Sequence, residues 1–364
     1  MRAPAGRLAG LRRLCRRGKV DAMLLTSPHS VRYFSGFTGE DSYLLAGPRW
    51  VRLLTDSRFA QQARSECPGV KLVVRSAKMV QAIAAVAAEK KVRRLGVEGR
   101  HVSLALKAEL DRALPRVRIK PFGGEFEALR EVKDAAELAA IRRAVRLAEA
   151  AFQQLFRRGA RWFVGRTEAQ VAAELDYLMR RRGAERPAFP TIVAAGPHSA
   201  MPHYRPGHTR IRNGQPVLMD WGAVVAGYAC DLTRVVFTGR IPPQIAGVYE
   251  VVLRAQAAGL RALRPAATCE SADAAARKVI GEAGYGEAFG HGLGHGIGLE
   301  VHESPRLGRR ARQRLRAGMV VTVEPGIYLP GLGGVRIEDD VLLVPGGCRR
   351  LSRLPREMPA MMLP

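Results

Sequence analysis

Nowhere in its 364 residues does the chain run apolar for the roughly 20 positions that a membrane-crossing helix needs. Cysteine is scarce. Cys15, Cys67, Cys230, Cys269 and Cys348 are odd in number, scattered, and include no CxxC pair. That argues against a disulfide framework and predicts reduced thiols in a cytoplasmic protein. Acidic residues are also short, with 33 against 59 basic ones and a formal charge of +26. Such a balance invites a polyanion partner. Yet the basic residues are mostly arginine, and stretches such as RLGRRARQRLR (306–316) carry no interleaved aromatics and no nucleic-acid motif. GC-rich codon usage accounts for the bias, so no nucleic-acid partner and no membrane partner is expected. The first segment, MRAPAGRLAGLRRLCRRG, lacks acids and lacks the apolar core of a secretion signal. A transit peptide is one reading. However, Leu8, Leu11, Leu14 and Cys15 recur at helical spacing and run straight into VDAMLLT, which predicts a surface helix of the fold.

What is present is ordinary globular material, 47% hydrophobic and 25% charged, in a chain long enough for two cored domains. Over the first third, apolar runs such as DAMLLTS (21–27), SYLLAGP (42–48), RWVRLLTD (49–56), VKLVVRS and RRLGVEG alternate with helical stretches. That alternation predicts an α/β domain over 1–122, followed by a linker over 123–133 where paired glycines fall. A second α/β domain is expected over 134–358. It opens on a long amphipathic helix (134–158) with Asp134 as cap and Glu137 three residues on. Thr167 is the candidate cap of the next helix, which Gly183 closes. Helices are also expected near 243–263 and 271–283.

Every chemically loaded residue falls in this second half. PVLMDWGAVVAGYACDLTRVVF (216–237) reads as a hairpin, and pairing centred near Val225–Ala226 sets Asp220 opposite Asp231 on one face. Two carboxylates that close among apolar neighbours call for a cation between them. The alternative is that Asp220 ends a strand and Asp231 caps a turn. HGLGHGIGLEVHE (291–303) holds His291, His295 and His302. The four-residue spacing of the first two is not a zinc-protease helix, because Gly292 stands at the glutamate position and glycine opposes helix. The glycines are expected to let the backbone approach a ligand in an extended path. VVTVEPGIY and GVRIEDD each place a glutamate, Glu324 and Glu338, in an apolar strand, where burial without a partner is costly. Arg336, two residues before Glu338, is the alternative partner for it. Four carboxylates and one imidazole suit two ions of Mn²⁺, Co²⁺, Zn²⁺ or Fe²⁺, and such a pair can hold a hydroxide and polarise an amide carbonyl.

The ordered set LMDWGAVVAGYACDLTR, GHGLGHGIGLEVHE, VTVEPGIY and VRIEDD resembles the proline-peptidase branch of the pita-bread metallopeptidases, the Xaa-Pro aminopeptidases and Xaa-Pro dipeptidases. FPTIVAAGPHSAMPHYRP (189–206) is similar to the family's substrate-side segment, and TSPHSVRYFSGFTGEDSYLLAG (26–47) to its smaller creatinase-like domain. The resemblance implies that Asp220 chelates one metal, that Asp231 and Glu338 bridge both, and that His295 and Glu324 complete the second. It implies that His203 and His302 hydrogen-bond substrate carbonyls and that Glu324 shuttles a proton to the leaving nitrogen. His291 would line the proline pocket and Arg336 would orient Glu338. Two divalent ions, manganese foremost with cobalt or zinc as substitutes, an Xaa-Pro peptide substrate and a homodimer are the further expectations. A creatinase-like or ectoine-derivative hydrolase, or a non-enzymatic peptidase-like binding module, are the competing readings.

Overall fold

A computed structural model describes residues 5–364, and the chain divides into two compact units, the first ending at Arg130 and the second Glu131–Pro364. The first unit opens with the helix Ala5–Gly18, which buries Leu11, Leu14 and Cys15. Six strands follow: β1 (Ala22–Leu25), β2 (Tyr43–Ala46), β3 (Val51–Thr55), β4 (Lys71–Val74), β5 (Arg94–Glu98) and β6 (Arg118–Phe122). They form one sheet in the order β4-β3-β2-β1-β5-β6. β1 pairs in parallel with β5 and antiparallel with β2. Leu24, Leu45, Leu54 and Leu95 from the sheet pack with Ile83 and Leu110 from the helices Met79–Glu89 and Leu104–Ala113. Residues Lys120–Phe122, where the sequence pointed to the end of the domain, belong to β6. Pro121 is tolerated there because β6 is an edge strand, where a missing N–H breaks no ladder. Within the expected linker, Glu125–Ala128 forms a short helix.

The second unit begins with two capped helices. Asp134 and Glu137 close a capping box on Ala135–Phe156, and Thr167 and Gln170 close another on Glu168–Arg181. The strands that follow are β7 (Arg186–Pro187), β8 (Ile192–Ala195), β9 (Pro216–Trp221), β10 (Ala223–Val225), β11 (Tyr228–Ala229), β12 (Leu232–Phe237), β13 (Gly294–Gly296), β14 (Glu303–Leu307), β15 (Val320–Val323), β16 (Gly326–Leu329), β17 (Gly333–Arg336), β18 (Asp339–Val344) and β19 (Gly347–Arg350). β12, β9 and β8 form one sheet; β14, β13, β15, β18 and β19 form another; β16 and β17 pair alone. The helices Pro243–Ala262 and Cys269–Glu282 pack a core of Val252, Ala255, Ala276, Val321, Val335 and Val341 against them. Trp221, at the end of β9, stacks on Phe152 with centroids 4.6 Å apart and donates its indole N–H to the Ala148 carbonyl. Such a pair contributes about 1 kcal/mol beyond its buried area, and it fixes the strand end beside Asp220.

The hairpin register differs from the sequence expectation. Val225 pairs with Tyr228 across Ala226 and Gly227, which both have positive φ (51° and 79°), as a two-residue I′ turn requires. Asp220 therefore faces Thr233, and Asp231 lies two residues nearer the turn, diagonal to Asp220 rather than opposite it. The parity is unchanged, so both carboxylates still share a face.

Candidate metal centre

Five separate stretches of the second unit bring the candidate ligand atoms together. Asp231, His295 and Glu338 are buried and each offers an atom within 4.8 Å of the others. Glu324 Oε1 lies 3.2 Å from His295 Nε2, and Asp231 Oδ2 lies 3.8 Å from it. Asp220 sits close enough that its charge raises the pKa of Asp231. Neither glutamate lies inside a strand as the sequence implied. Glu324 follows β15 at Pro325, and Glu338 falls between β17 and β18 on an isolated bridge to Thr233. The breaks turn each carboxylate inward while the backbone stays paired: Glu324 N–H donates to Leu293 O and Glu338 N–H to Thr233 O.

The imidazole of His295 is oriented for ligation. Its Nδ1–H donates to the Gly296 carbonyl at 3.0 Å, which leaves Nε2 facing the carboxylates, able to hold a proton toward Glu324 or to offer a lone pair to a cation. The glycines around it let neighbouring backbone approach closely, and Gly290, Gly292 and Gly294 also line the cavity beside the cluster. A Cβ on Gly294 would stand 2.1 Å from Thr322 O, and one on Gly296 would stand 2.3 Å from Ser304 O. They let β13 press between its neighbours.

Electrostatics test whether cations fit. Burial pushes Asp231 and Glu338 well above the usual carboxylate range, and the adjacent carboxylates push them further. Burial raises Asp220 too, against the pull of Arg336. Burial also works on Glu324, but the His295 imidazolium outweighs it and brings that group to about 2. One oxygen each of Asp220, Asp231, Glu338 and Asp340 is buried with no hydrogen-bond partner among the described residues. A buried polar atom left unpaired costs about 1–3 kcal/mol, more when charged. Three of these, Asp220, Asp231 and Glu338, join Glu324 and the His295 imidazole as the kind of donor set that hard divalent ions take, and four carboxylate charges match two such ions.

Several residues that the sequence did not single out hold this set in place. Thr233 Oγ1 donates to Glu338 Oε2 at 2.6 Å and accepts from Arg336 Nε at 3.1 Å. Arg336 therefore reaches Glu338 through Thr233. Its own ion pair is with Asp220, at 2.5 Å, and not with Glu338, the alternative that the sequence left open. Gln256 Nε2 lies 3.3 Å from Val323 O and 3.1 Å from Ile337 O, tying the residues before both glutamates to one helix. Buried Arg234 donates to Glu338 O and pairs with Asp339. Asp340 accepts the Asp231 N–H, and burial pushes its carboxyl up to about 8.

The cavity beside these groups measures about 920 Å³ and is lined by His203, His291 and His302 as well as the five carboxylate and imidazole residues. That is at the upper end of small-ligand sites. His302 sits with its ring centroid 4.3 Å from that of His295, and burial together with His295 lowers it to about 4, so it is a neutral imidazole at pH 7. His291 Nδ1 donates to Gly292 O, its Nε2 accepts from Tyr328 O–H, and Tyr328 accepts from Arg336 Nη1. His203 is exposed to the cavity between Pro202 and Tyr204.

Comparison with known proteins gives the same picture. Residues 139–345 match the model of metallopeptidase family M24, and residues 7–132 match the creatinase/prolidase N-terminal domain. An Xaa-Pro dipeptidase of Pyrococcus furiosus is 35% identical over 353 residues, covering 97% of this chain and 99% of its own. The solved structure of an Xaa-Pro dipeptidase from Bacillus anthracis superposes with a TM-score of 0.94 at 35% identity, over 98% of this chain and 99% of that one. An X-Pro aminopeptidase from Thermotoga maritima gives 0.88 at 37% identity, over 95% and 99%. With its buried carboxylate and imidazole cluster, its mixed α/β architecture and matches over both units, this chain belongs to metallopeptidase family M24, carrying a creatinase-like N-terminal domain ahead of a pita-bread catalytic domain.

Proposed function

We propose that this protein hydrolyses the peptide bond that precedes proline, with two divalent cations held by Asp220, Asp231, His295, Glu324 and Glu338. The observation that carries the reading is the convergence of buried carboxylates, three of them with an unpaired oxygen, on Nε2 of His295. The names of the relatives supply the proline preference. When bound, the cations supply positive charge that polarises a carbonyl and lowers the pKa of a water. Manganese is the proposed native ion, because four of the five donors are hard oxygens.

The chain's own residues do the rest. Neutral His302 donates an N–H to the scissile carbonyl oxygen as negative charge gathers there. His203, across the cavity, holds a second substrate carbonyl. Proline nitrogen is a poor leaving group until protonated, and Glu324 carries a proton to it. His291 turns its ring toward the cavity beside Phe289, centroids 5.0 Å apart, and forms an apolar wall against which a pyrrolidine ring packs.

The test is chelation followed by add-back of Mn²⁺, Co²⁺ or Zn²⁺, assayed on Xaa-Pro dipeptides, Xaa-Pro-Yaa tripeptides and Xaa-Ala controls. Two ions per chain and metal-restored cleavage of Xaa-Pro alone are expected. Turnover that survives complete chelation, or equal rates on Xaa-Ala, sinks the reading. Cleavage confined to dipeptides marks a dipeptidase, and cleavage of tripeptides an aminopeptidase.

A further inference from the structure

Glu168 lies outside the metal cluster and is completely buried, yet it is hydrogen-bonded at every turn. It stands at the first turn of its helix, where Thr167 already provides the cap. Its carboxylate faces the other way. Oε1 accepts from Ala195 N–H at 2.8 Å and meets His198 Nδ1 at 2.9 Å. Oε2 accepts from Tyr204 O–H at 2.7 Å and from Gly207 N–H at 3.5 Å. His198 and Tyr204 stack on each other with centroids 4.6 Å apart. One carboxylate thus gathers four points along a segment that contains His203.

The same segment is pinned from a second direction. Arg336, ion-paired to Asp220, reaches the Pro202 carbonyl at 3.4 Å, and Ser199 Oγ accepts from Gly334 N–H at 2.8 Å. The residues on either side of His203 are therefore both tethered, Pro202 toward the metal cluster and Tyr204 toward Glu168. The His203 ring itself stays open to the cavity.

We infer that Glu168 is a positioning residue for His203: it sets where that imidazole stands over the cavity and so how well it holds a substrate carbonyl. This rests on the reading of His203 given above. A carboxylate is required because every partner is a donor, and an ionised carboxylate offers acceptor sites alone. Glutamine would turn an NH₂ group against one pair of these donors, and the loop would shift to separate them. A displacement of about 1 Å at a group that holds substrate lowers turnover about 10–100-fold.

The test is a double-mutant cycle in the metal-loaded enzyme: Glu168→Gln, His203→Ala and the two combined, with kcat, KM and bound metal measured on an Xaa-Pro dipeptide. Glu168→Gln is expected to lower kcat/KM about 10–100-fold with two metals retained, but to cost less than about twofold once His203 is already alanine. Equal losses in both backgrounds would overturn the assignment, since the effect would then not pass through His203. If Glu168→Gln does not fold, Tyr204→Phe removes a single partner and carries the same cycle. Should His203→Ala keep the wild-type rate, the positioning role falls while metal-dependent hydrolysis stands. A wild-type enzyme without that hydrolysis brings down the functional reading instead.

Discussion

Stripping the metals should destabilise the catalytic unit by an amount that grows with pH. Ions that bind only the folded state at about 1,000 times their dissociation constant stabilise it by about 4 kcal/mol per site. A domain of this size loses about 2–4 °C of Tm per kcal/mol, so emptying one site lowers Tm by about 8–16 °C and emptying both by more. Without cations, burial holds Asp231 and Glu338 above the ordinary carboxylate range and Asp340 at about 8. A raised folded pKa means that the folded state binds more protons than the unfolded chain. The stabilising effect is then full below the unfolded value of about 4 and is lost as pH climbs toward the folded values. The stripped protein therefore gains on the loaded one between about pH 8 and pH 5. Calorimetry at several pH values, with metal content measured on the same samples, reads this directly. A stripped protein that melts with the loaded one at pH 8, or a gap that widens on acidification, refutes the argument that cations neutralise this cluster.

Two substitutions probe how the ligands are held. Thr233→Val keeps the shape of the side chain but leaves Glu338 Oε2 and Arg336 Nε unpaired. Metal affinity should fall about 10–100-fold and stability by about 1–3 kcal/mol, read by chelator competition and denaturant titration; unchanged affinity would show that Thr233 does not support Glu338. Gly294→Ala drives a Cβ to 2.1 Å from Thr322 O and should cost about 1–3 kcal/mol with a lowered metal content. Gly290→Ala, with nothing within 4 Å, should melt as the parent does.

Local signals in the sequence marked what the structure builds locally. Asp134 with Glu137 and Thr167 with Gln170 close their capping boxes because each box lies within four residues of chain. The extended path through His295 was legible because glycine density disfavours helix. What the sequence hid depends on partners far along the chain. The slip that sets Asp220 against Thr233 stems from Ala226 adopting positive φ, a conformation alanine rarely takes and composition does not announce. Arg336 pairs with Asp220, 116 residues away, while its sequence neighbour Glu338 turns to Thr233. Thr233, Gln256 and Asp340 carry no signal of their own, since each matters only through what a distant strand places beside it. The helix Pro28–Ser35 also escaped, being too short to show a period.

The order of the ligands along the chain has a consequence for timing. The first, Asp220, emerges from the ribosome long before the last, Glu338, and the two come together only when β18 has joined β15 and the Glu338 bridge to Thr233 has closed. A nascent chain that stops short of Glu338 lacks one of the carboxylates proposed to bridge the cations. Under the proposed ligand assignment, hydrolytic power is withheld during synthesis, and capture of the full metal complement reports that the catalytic half has finished folding.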